Sequence, residues 1–281
     1  AGIIKRGHPV VYDCSSPEAA AVISAKAEEL GVQKFPVTPE TAGRGIRTRL
    51  AGMEADTAAR LDRNLLELSY RGREVPFEIP FEAPYQFMNA ALAIRALDIS
   101  GLPVTPEKAK AGVRKAKWPA RMEQICPGVY LDGAHNEDAA LQLSASVEKY
   151  FTNIPITYII GVLADKEHKK VLEAMLPYAG AAFTVTPDNP RAMKAEELAS
   201  EAEAIVARLW KERAGKPEKV QGTENSPQGA GGMEPLPKVS ACSSMKEAVQ
   251  LALEHTKKDG VILAFGSLSY LKEIRQIMQS D

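Results

Sequence analysis

Cysteine, histidine and long apolar runs are all scarce in this sequence. The three cysteines among its 281 residues, Cys14, Cys126 and Cys242, are far apart and odd in number. They give no disulfide framework and no paired-cysteine metal site, and they favour a reducing compartment, the cytoplasm. The four histidines lack the His-Glu-x-x-His spacing of a zinc protease. No apolar run approaches the ~20 residues of a membrane span.

Net charge is almost absent as well. Lys and Arg number 35 against 36 Asp and Glu, which gives a formal charge of −1. This balance provides no electrostatic footprint for nucleic acid or for an anionic membrane. Hydrophobic residues make up 45% and charged residues 25%, an ordinary globular composition. The length suits about two domains.

Short apolar runs alternate with helical patterns from about residue 120 onward. The runs lie at 129–131, 156–162, 182–185, 238–241 and 261–265. The helical patterns lie at about 137–151, 166–179, 193–213, 244–257 and 269–279. Strands that alternate with helices imply right-handed crossovers and a mainly parallel sheet. We predict an α/β fold, with a doubly wound, mainly parallel, Rossmann-like sheet over 120–281.

The first 119 residues are less regular. Their patterns predict a strand at 8–13, a helix at 16–31, a hairpin at 65–79 and helices at 85–100 and 105–117. These elements alone would leave a sheet edge and a helix face uncovered. The chain also opens on Ala1-Gly2-Ile3-Ile4-Lys5 without an initiator methionine. We therefore expect a fragment that begins with the truncated end of an α/β domain.

The segment between the predicted helix at about 193–213 and the predicted strand at 238–241 differs in composition from its surroundings. Residues 215–237 are rich in Gly, Pro and Ser and show no periodicity. Such a composition is typical of a mobile surface loop, which we expect here.

The motif that carries chemical information is Leu131-Asp132-Gly133-Ala134-His135-Asn136. Asp132 stands at the carboxyl end of a predicted strand, where ligand crevices form in open parallel sheets. Gly133 and Ala134 allow a tight turn and leave room for a ligand. Asn136 is equally suited to be the N-cap of the following helix, so from these residues alone a plain turn and cap stays open. The sequence has no glycine-rich phosphate loop and no nucleophile elbow.

Together with Trp118-Pro119-Ala120-Arg121, this motif resembles the folylpolyglutamate synthase/dihydrofolate synthase family of the Mur-ligase superfamily, which are ATP-dependent amide ligases. Three other stretches agree in the family's order: Ala1-Gly2-Ile3-Ile4-Lys5, Gln86-Phe87-Met88-Asn89-Ala90-Ala91 and Phe265-Gly266-Ser267-Leu268. Three positions depart from the family's pattern. Tyr85 stands in place of a His, Ala120 in place of a Gly and Glu137 in place of a Pro.

The resemblance implies roles for five residues. Asn89, Arg121 and Asp132 would contact ATP, and the guanidinium fork of Arg121 suits phosphoryl oxygens. His135 would be a catalytic residue that reaches the phosphates or the incoming amino acid. Ser267 would hold the carboxylate of the incoming glutamate. A surface salt bridge for Arg121 and a helix N-cap for Ser267 are the alternatives, and no metal ligand is implied within this chain.

The resemblance also implies a function for the parent protein, namely a cytoplasmic, monomeric ligase that adds L-glutamate to (tetrahydro)folate through an acyl phosphate, with dihydrofolate synthase as a second activity. Its partners would be folate, L-glutamate and ATP with Mg²⁺, and not nucleic acid or membrane. In this family the P-loop, the magnesium ligands and a carbamoylated lysine lie upstream of the matching region. We therefore expect 1–119 to be the tail of the central ATP-binding domain and 120–281 the carboxyl-terminal domain, without turnover by themselves.

Two other interpretations stay open. The first is a cell-wall precursor ligase that joins an amino acid to a nucleotide-linked substrate within the same superfamily. The second is a nucleotide-binding α/β module without chemistry of its own.

Overall fold

The computed structural model describes residues 2–39, 64–80, 83, 85–214, 236–256 and 258–280. The chain divides into two compact units, Ala1–Lys117 and Trp118–Asp281. The loop expected at 215–237 lies outside the described residues except for its last two positions. None of the helices within the described ranges is long and apolar enough to cross a membrane.

The first unit begins with a parallel strand pair. Strand β1 (Val10–Asp13) lies beside β2 (Lys34–Val37), and helix α1 (Pro17–Glu29) connects them. The helix begins where the sequence predicts, because the Ser16 hydroxyl accepts a hydrogen bond from the backbone N–H of Ala19 at 3.3 Å. Strand β2 was not predicted. Its four residues include a proline, which cannot donate to a ladder and weakens the strand signal.

The predicted hairpin is confirmed. Strands β3 (Asn64–Tyr70) and β4 (Arg73–Ile79) pair antiparallel, with Tyr70 opposite Arg73. Both residues of the turn, Arg71 and Gly72, have positive φ, at 53° and 71°, which suits the right-handed twist of a two-residue hairpin. The hairpin contributes to a core that also holds residues of the helices α2 (Tyr85–Ile99) and α3 (Pro106–Arg114).

The second unit is built on a six-stranded sheet in the order β5-β6-β10-β7-β8-β9. The strands are β5 (Glu123–Cys126), β6 (Val129–Leu131), β7 (Ile156–Ile160), β8 (Ala179–Thr184), β9 (Lys238–Ala241) and β10 (Val261–Phe265). All neighbours are parallel except β5 and β6, so the prediction of a mainly parallel sheet is confirmed. Strand β5 was not predicted, because its first two residues, Glu123 and Gln124, are polar and leave no apolar run like those of the other strands.

Five helices cover this sheet: α4 (Glu137–Tyr150), α5 (His168–Met175), α6 (Ala195–Ala214), α7 (Met245–His255) and α8 (Leu268–Ser280). Helix α5 is shorter than predicted, because Pro177 lies in a 3₁₀ turn, Leu176–Tyr178, that follows it directly. Helix α4 packs on α5 and α5 on α6, whereas α7 packs on α8. Residues of α7 and α8 share one hydrophobic cluster with β6, β8 and β10.

The order of the strands predicts a ligand position at the carboxyl ends of β6, β10 and β7. The connections from β6 through β9 all step in one direction, and the connection from β9 to β10 steps back. Right-handed crossovers then put α4, α5 and α6 on one face and α7 on the other, with α8 beside it. The chain therefore leaves β10 toward the opposite face from its neighbours β6 and β7. Ligands bind at such switch points, outside the carboxyl ends of the strands.

Tyr158, on the central strand β7, provides a test of this core. Its side chain is fully buried, and its ring packs edge to face on the ring of Phe265, with 5.1 Å between the ring centroids. No described residue forms a hydrogen bond with its hydroxyl. Because an unsatisfied buried hydroxyl destabilises the folded state, we expect Tyr158→Phe to leave the free energy of unfolding unchanged or to raise it by up to about 1–2 kcal/mol.

Urea unfolding followed by tryptophan fluorescence measures this effect in the second unit, since both tryptophans, Trp118 and Trp210, belong to it. Tyr270→Phe is the matched control. Its hydroxyl is 2.5 Å from the carbonyl oxygen of Phe265 and 3.1 Å from the amide nitrogen of Gly161. The control should lose about 1–3 kcal/mol. Equal losses in the two variants would contradict the expectation.

Candidate functional site

Asp132 follows β6 directly, and its carboxylate is bound by the protein backbone. The side chain is 3% exposed. One oxygen accepts a hydrogen bond from the backbone N–H of Met122 at 2.8 Å, and the other accepts from Ala134 at 2.9 Å. These bonds fasten the turn at 119–122 to the loop after β6. Contact between Asp132 and a nucleotide stays a prediction.

The turn that carries Arg121 has an uncommon backbone conformation. The residues on either side of it, Ala120 and Met122, have φ of 56° and 46°, in the left-handed region that favours glycine. Non-glycine residues held in such conformations cost about 1–3 kcal/mol each, and they concentrate at functional sites. Glycine would adopt this conformation at position 120 without strain.

Several hydrogen bonds hold this turn in place. The backbone N–H of Ala120 donates to the Glu123 carboxylate at 2.8 Å, and the carbonyl of Ala120 accepts from Gly133 N–H at 2.9 Å. The bond from Met122 to Asp132 is the third. The strained conformation is thus fixed from both β5 and the loop after β6.

The side chain of Arg121 lies half-buried against the loop after β6. Its Nη1 donates to the carbonyl of Ala120 at 3.0 Å, and no ion pair among the described residues includes it. The salt-bridge alternative is therefore not found in the described part of the chain. A Cβ on Gly133 would lie 2.5 Å from both Nη1 of Arg121 and Cδ2 of Leu268, so these two side chains pack against the bare glycine backbone. Leu268 is 52% exposed.

His135 lies in the same loop with one ring nitrogen engaged. Its Nδ1 is 2.9 Å from the carbonyl oxygen of Gly133. Since a carbonyl only accepts, Nδ1 carries the proton, and the lone pair of the neutral ring is on Nε2. The next residue, Asn136, caps α4 through a 2.9 Å bond from the backbone N–H of Ala139. Among the described residues, no hydrogen-bond partner is found for Nε2 of His135, which directly precedes the N-cap of α4.

The loop after β10 contributes Gly266 and Ser267. Gly266 has φ of 115°, and a Cβ there would lie 2.5 Å from the carbonyl oxygen of Gly161. Ser267 is 5% exposed, directly precedes α8, and accepts a hydrogen bond from Ser269 N–H at 3.3 Å. This geometry agrees with the N-cap alternative for Ser267. Contact between Ser267 and a glutamate carboxylate stays a prediction.

Asn89 is the predicted site residue that lies in the first unit. It is exposed on α2, and its Nδ2 donates to Oε1 of Gln86 at 3.2 Å. The structure brings Arg121, Asp132 and His135 into adjoining turns, with Ser267 next to Leu268. That Asn89 shares a cleft with them stays a prediction. Among the described residues, no group of three His, Cys, Asp or Glu side chains could hold a metal ion.

Sequence reasoning missed Tyr270, Glu123 and Arg275. The buried hydroxyl of Tyr270 joins the ends of β7 and β10 through its contacts with Gly161 and Phe265, and burial raises the pKa of this phenol. Nothing in the local sequence distinguishes it from an ordinary core aromatic. Glu123 lies two residues after Arg121 and could have been noticed for that reason. Arg275, its partner on α8, carries no local signal.

The fold and these loops belong to one class of protein. The sequence profile of the family described as "Mur ligase, glutamate ligase domain" matches residues 120–268. The chain belongs to this Mur ligase family.

Within that class, the chain is similar to folate-linked ligases, as the sequence motifs suggest. It is 32% identical over 225 residues to the folylpolyglutamate synthase of Lacticaseibacillus casei, covering 75% of this chain and 49% of that protein. It is 30% identical over 221 residues to the dihydrofolate synthase/folylpolyglutamate synthase of Bacillus subtilis (strain 168), covering 75% and 48%. The chain thus spans about half the length of the curated relatives it matches.

The fold is shared with a solved structure. The Mycobacterium tuberculosis folylpolyglutamate synthase complexed with ADP superposes with a TM-score of 0.70. The alignment covers 100% of this chain and 58% of that chain at 18% identity.

Proposed function

We propose that this chain is the carboxyl-terminal portion of an ATP-dependent ligase that adds L-glutamate to (tetrahydro)folate, with dihydrofolate synthase as a further activity. One observation carries the proposal. The family match over 120–268 contains four of the five predicted site residues, Arg121, Asp132, His135 and Ser267. The names of the Lacticaseibacillus casei and Bacillus subtilis relatives support folate as the acceptor.

In the proposed reaction, a carboxylate oxygen of the folate attacks the γ-phosphorus of ATP, which gives an acyl phosphate and ADP. The α-amine of L-glutamate then attacks the acyl carbon, the amide bond forms, the amine loses a proton and phosphate leaves. Phosphoryl transfer depends mainly on positioning and charge stabilisation. Arg121 would supply charge to the phosphates, and Nε2 of His135 would take the proton that the amine releases.

Nucleotide binding fits the residues at this edge of the sheet. The Arg121 guanidinium packs directly on the backbone of Gly133, because this residue has no side chain to keep it away. Helices α4 and α8 begin there, and helix N-termini favour anions. The Mycobacterium tuberculosis enzyme with this fold was solved with ADP, in agreement with the proposal.

The described residues support nucleotide binding but not magnesium binding. The described residues do not provide a group of ligands that fits Mg²⁺, so no step of the reaction is assigned to the metal through them. For location, we propose a reducing compartment, the cytoplasm, which suits the three free thiols Cys14, Cys126 and Cys242.

The test uses the complete gene product that contains this chain. We expect phosphate release from ATP that requires both L-glutamate and a folate, together with a product lengthened by one glutamyl residue in mass spectrometry. A nucleotide-linked cell-wall precursor should give no release. Release with that precursor instead would support the cell-wall alternative, and nucleotide binding without turnover on either substrate would support the non-catalytic module.

The 281-residue chain on its own serves as the control. Its sequence has no glycine-rich phosphate loop, and stabilisation of the developing phosphoryl charge is usually the largest catalytic contribution. We expect no ATP hydrolysis and no ligation above background. Magnesium-dependent turnover by this chain alone would contradict the proposal that the groups needed for phosphoryl transfer lie partly outside it.

A further inference from the structure

Glu123 and Arg275 lie next to the proposed nucleotide contact without being part of it. We propose that they form a positioning pair, which holds the turn at 119–122 and thereby sets the Arg121 guanidinium for the phosphates of a bound nucleotide. This inference rests on the proposed function, and it assigns to two further residues an effect that acts through Arg121.

The contacts of the pair converge on a single oxygen. Oε2 of Glu123 accepts the backbone N–H of Ala120 at 2.8 Å and lies 2.5 Å from Nη2 of Arg275. The side chains of Glu123 and Arg275 are 28% and 30% exposed, so the ion pair is partly withdrawn from water. Such charge-assisted bonds are shorter and stronger than neutral ones.

The turn needs this support because of its conformation. Ala120 and Met122 are both left-handed, at φ of 56° and 46°, and a turn of this kind persists only when its surroundings over-determine it. Asp132 and Gly133 fix the side of the turn that faces β6. The carboxylate of Glu123 fixes the amide of Ala120, which precedes Arg121 directly.

Arg275 lies on α8, a helix that is anchored in the hydrophobic core. Its neighbours on α8, Leu271 and Ile274, are buried in the hydrophobic cluster of the second unit. Arg275 therefore holds Glu123 from a helix that cannot shift without disturbing the core. Loss of the guanidinium would remove the charge-assisted bond from the same carboxylate oxygen that accepts from Ala120, and we expect the hold on the turn to weaken as a result.

The experiment compares Arg275→Met with Lys272→Met in the complete ligase. Lys272 is an exposed cation on the same helix, and its replacement should leave the kinetics unchanged. For Arg275→Met we expect kcat/KM for ATP to fall about 5- to 50-fold, since misplacing a contact by 1 Å can cost about 100-fold. Arg275→Lys, which keeps the charge but not the planar fork, should recover part of the loss.

Two readouts separate positioning from mere structural support. Amide hydrogen exchange of the 119–133 peptide should rise in Arg275→Met and not in Lys272→Met, while the melting temperature stays within the range of the control. In an Arg121→Ala background, Arg275→Met should cost nothing further in kcat/KM for ATP, because the pair acts through Arg121.

Three outcomes would overturn the inference. An equal loss in both backgrounds would mean that Arg275 acts independently of Arg121. Unchanged exchange in 119–133 would mean that the pair does not hold the turn. Increased exchange without any change in ATP kinetics would remove the link to the nucleotide. If Arg121→Ala also left kcat/KM for ATP unchanged while glutamate ligation persisted, the error would lie in the placement of Arg121 and not in the ligase function.

Discussion

Replacing Arg121 with alanine in the complete ligase is expected to lower kcat/KM for ATP about 10- to 150-fold, which corresponds to the roughly 1.5–3 kcal/mol of a lost charge-assisted contact. The fold should be unaffected, because the described hydrogen bond of this guanidinium goes to the adjacent carbonyl of Ala120. Steady-state kinetics at varied ATP, run beside thermal melts of the same variants, measures both quantities.

Arg121→Lys tests the reason for the effect. An ammonium keeps the charge but cannot present two parallel donors to a phosphate, so it should restore only part of the activity. A surface cation without a role in binding would behave differently, since such residues contribute about 0–1 kcal/mol of stability and leave ATP kinetics unchanged. Unaltered kinetics in Arg121→Ala, or a loss explained wholly by a lower melting temperature, would remove Arg121 from the nucleotide site and weaken the case for Asp132.

The elements that could be predicted from sequence are those whose signals are local. Strands β7 and β10 read as continuous apolar runs because both of their faces are buried in the sheet. Helices α1 and α4 begin at Ser16 and Asn136, whose short polar side chains cap the first turn. The loop at 132–136 was a candidate from the acid and the glycine that follow β6, but a plain turn and cap stayed open until the family resemblance was added, and its role as a site stays a prediction.

What could not be predicted depends on partners distant in the chain. Arg275 meets Glu123 across 152 positions, and no periodicity or motif joins them. The left-handed conformation of Ala120 and Met122 was likewise hidden, because neither residue type normally adopts it. The hydrogen bonds from backbone N–H groups to Asp132 could not be predicted either. The sequence therefore indicated only a ligand contact for this carboxylate, whereas in the structure it also joins two loops.

Gly266→Ala is the substitution for which we expect the largest loss of stability. Gly266 has φ of 115°, which L side chains rarely adopt, and its Cβ would lie 2.5 Å from the carbonyl oxygen of Gly161 and 3.0 Å from Cγ1 of Val162. The nearest atom is backbone at the end of a buried strand and cannot move alone. Adding about 1–3 kcal/mol for the backbone conformation to about 1–3 kcal/mol for the overpacking gives roughly 2–6 kcal/mol.

Gly133→Ala is the matched comparison, because its Cβ would meet different kinds of atoms. The atoms at 2.5 Å are the ends of two flexible side chains, Nη1 of Arg121 and Cδ2 of Leu268, and the backbone of Gly133 is not in the positive-φ region. We expect the stability cost to stay near about 1 kcal/mol, while kcat/KM for ATP falls as the guanidinium is pushed from its place.

Tryptophan fluorescence during urea unfolding compares the two variants, since Trp118 and Trp210 both report on the second unit. The expected pattern is a large shift of the midpoint for Gly266→Ala, and a small shift with impaired ATP kinetics for Gly133→Ala. Similar midpoints for the two would contradict the close approach of the β7 and β10 loops. Normal ATP kinetics in Gly133→Ala would mean that the position of the Arg121 side chain against this glycine is not the one in which the nucleotide is bound.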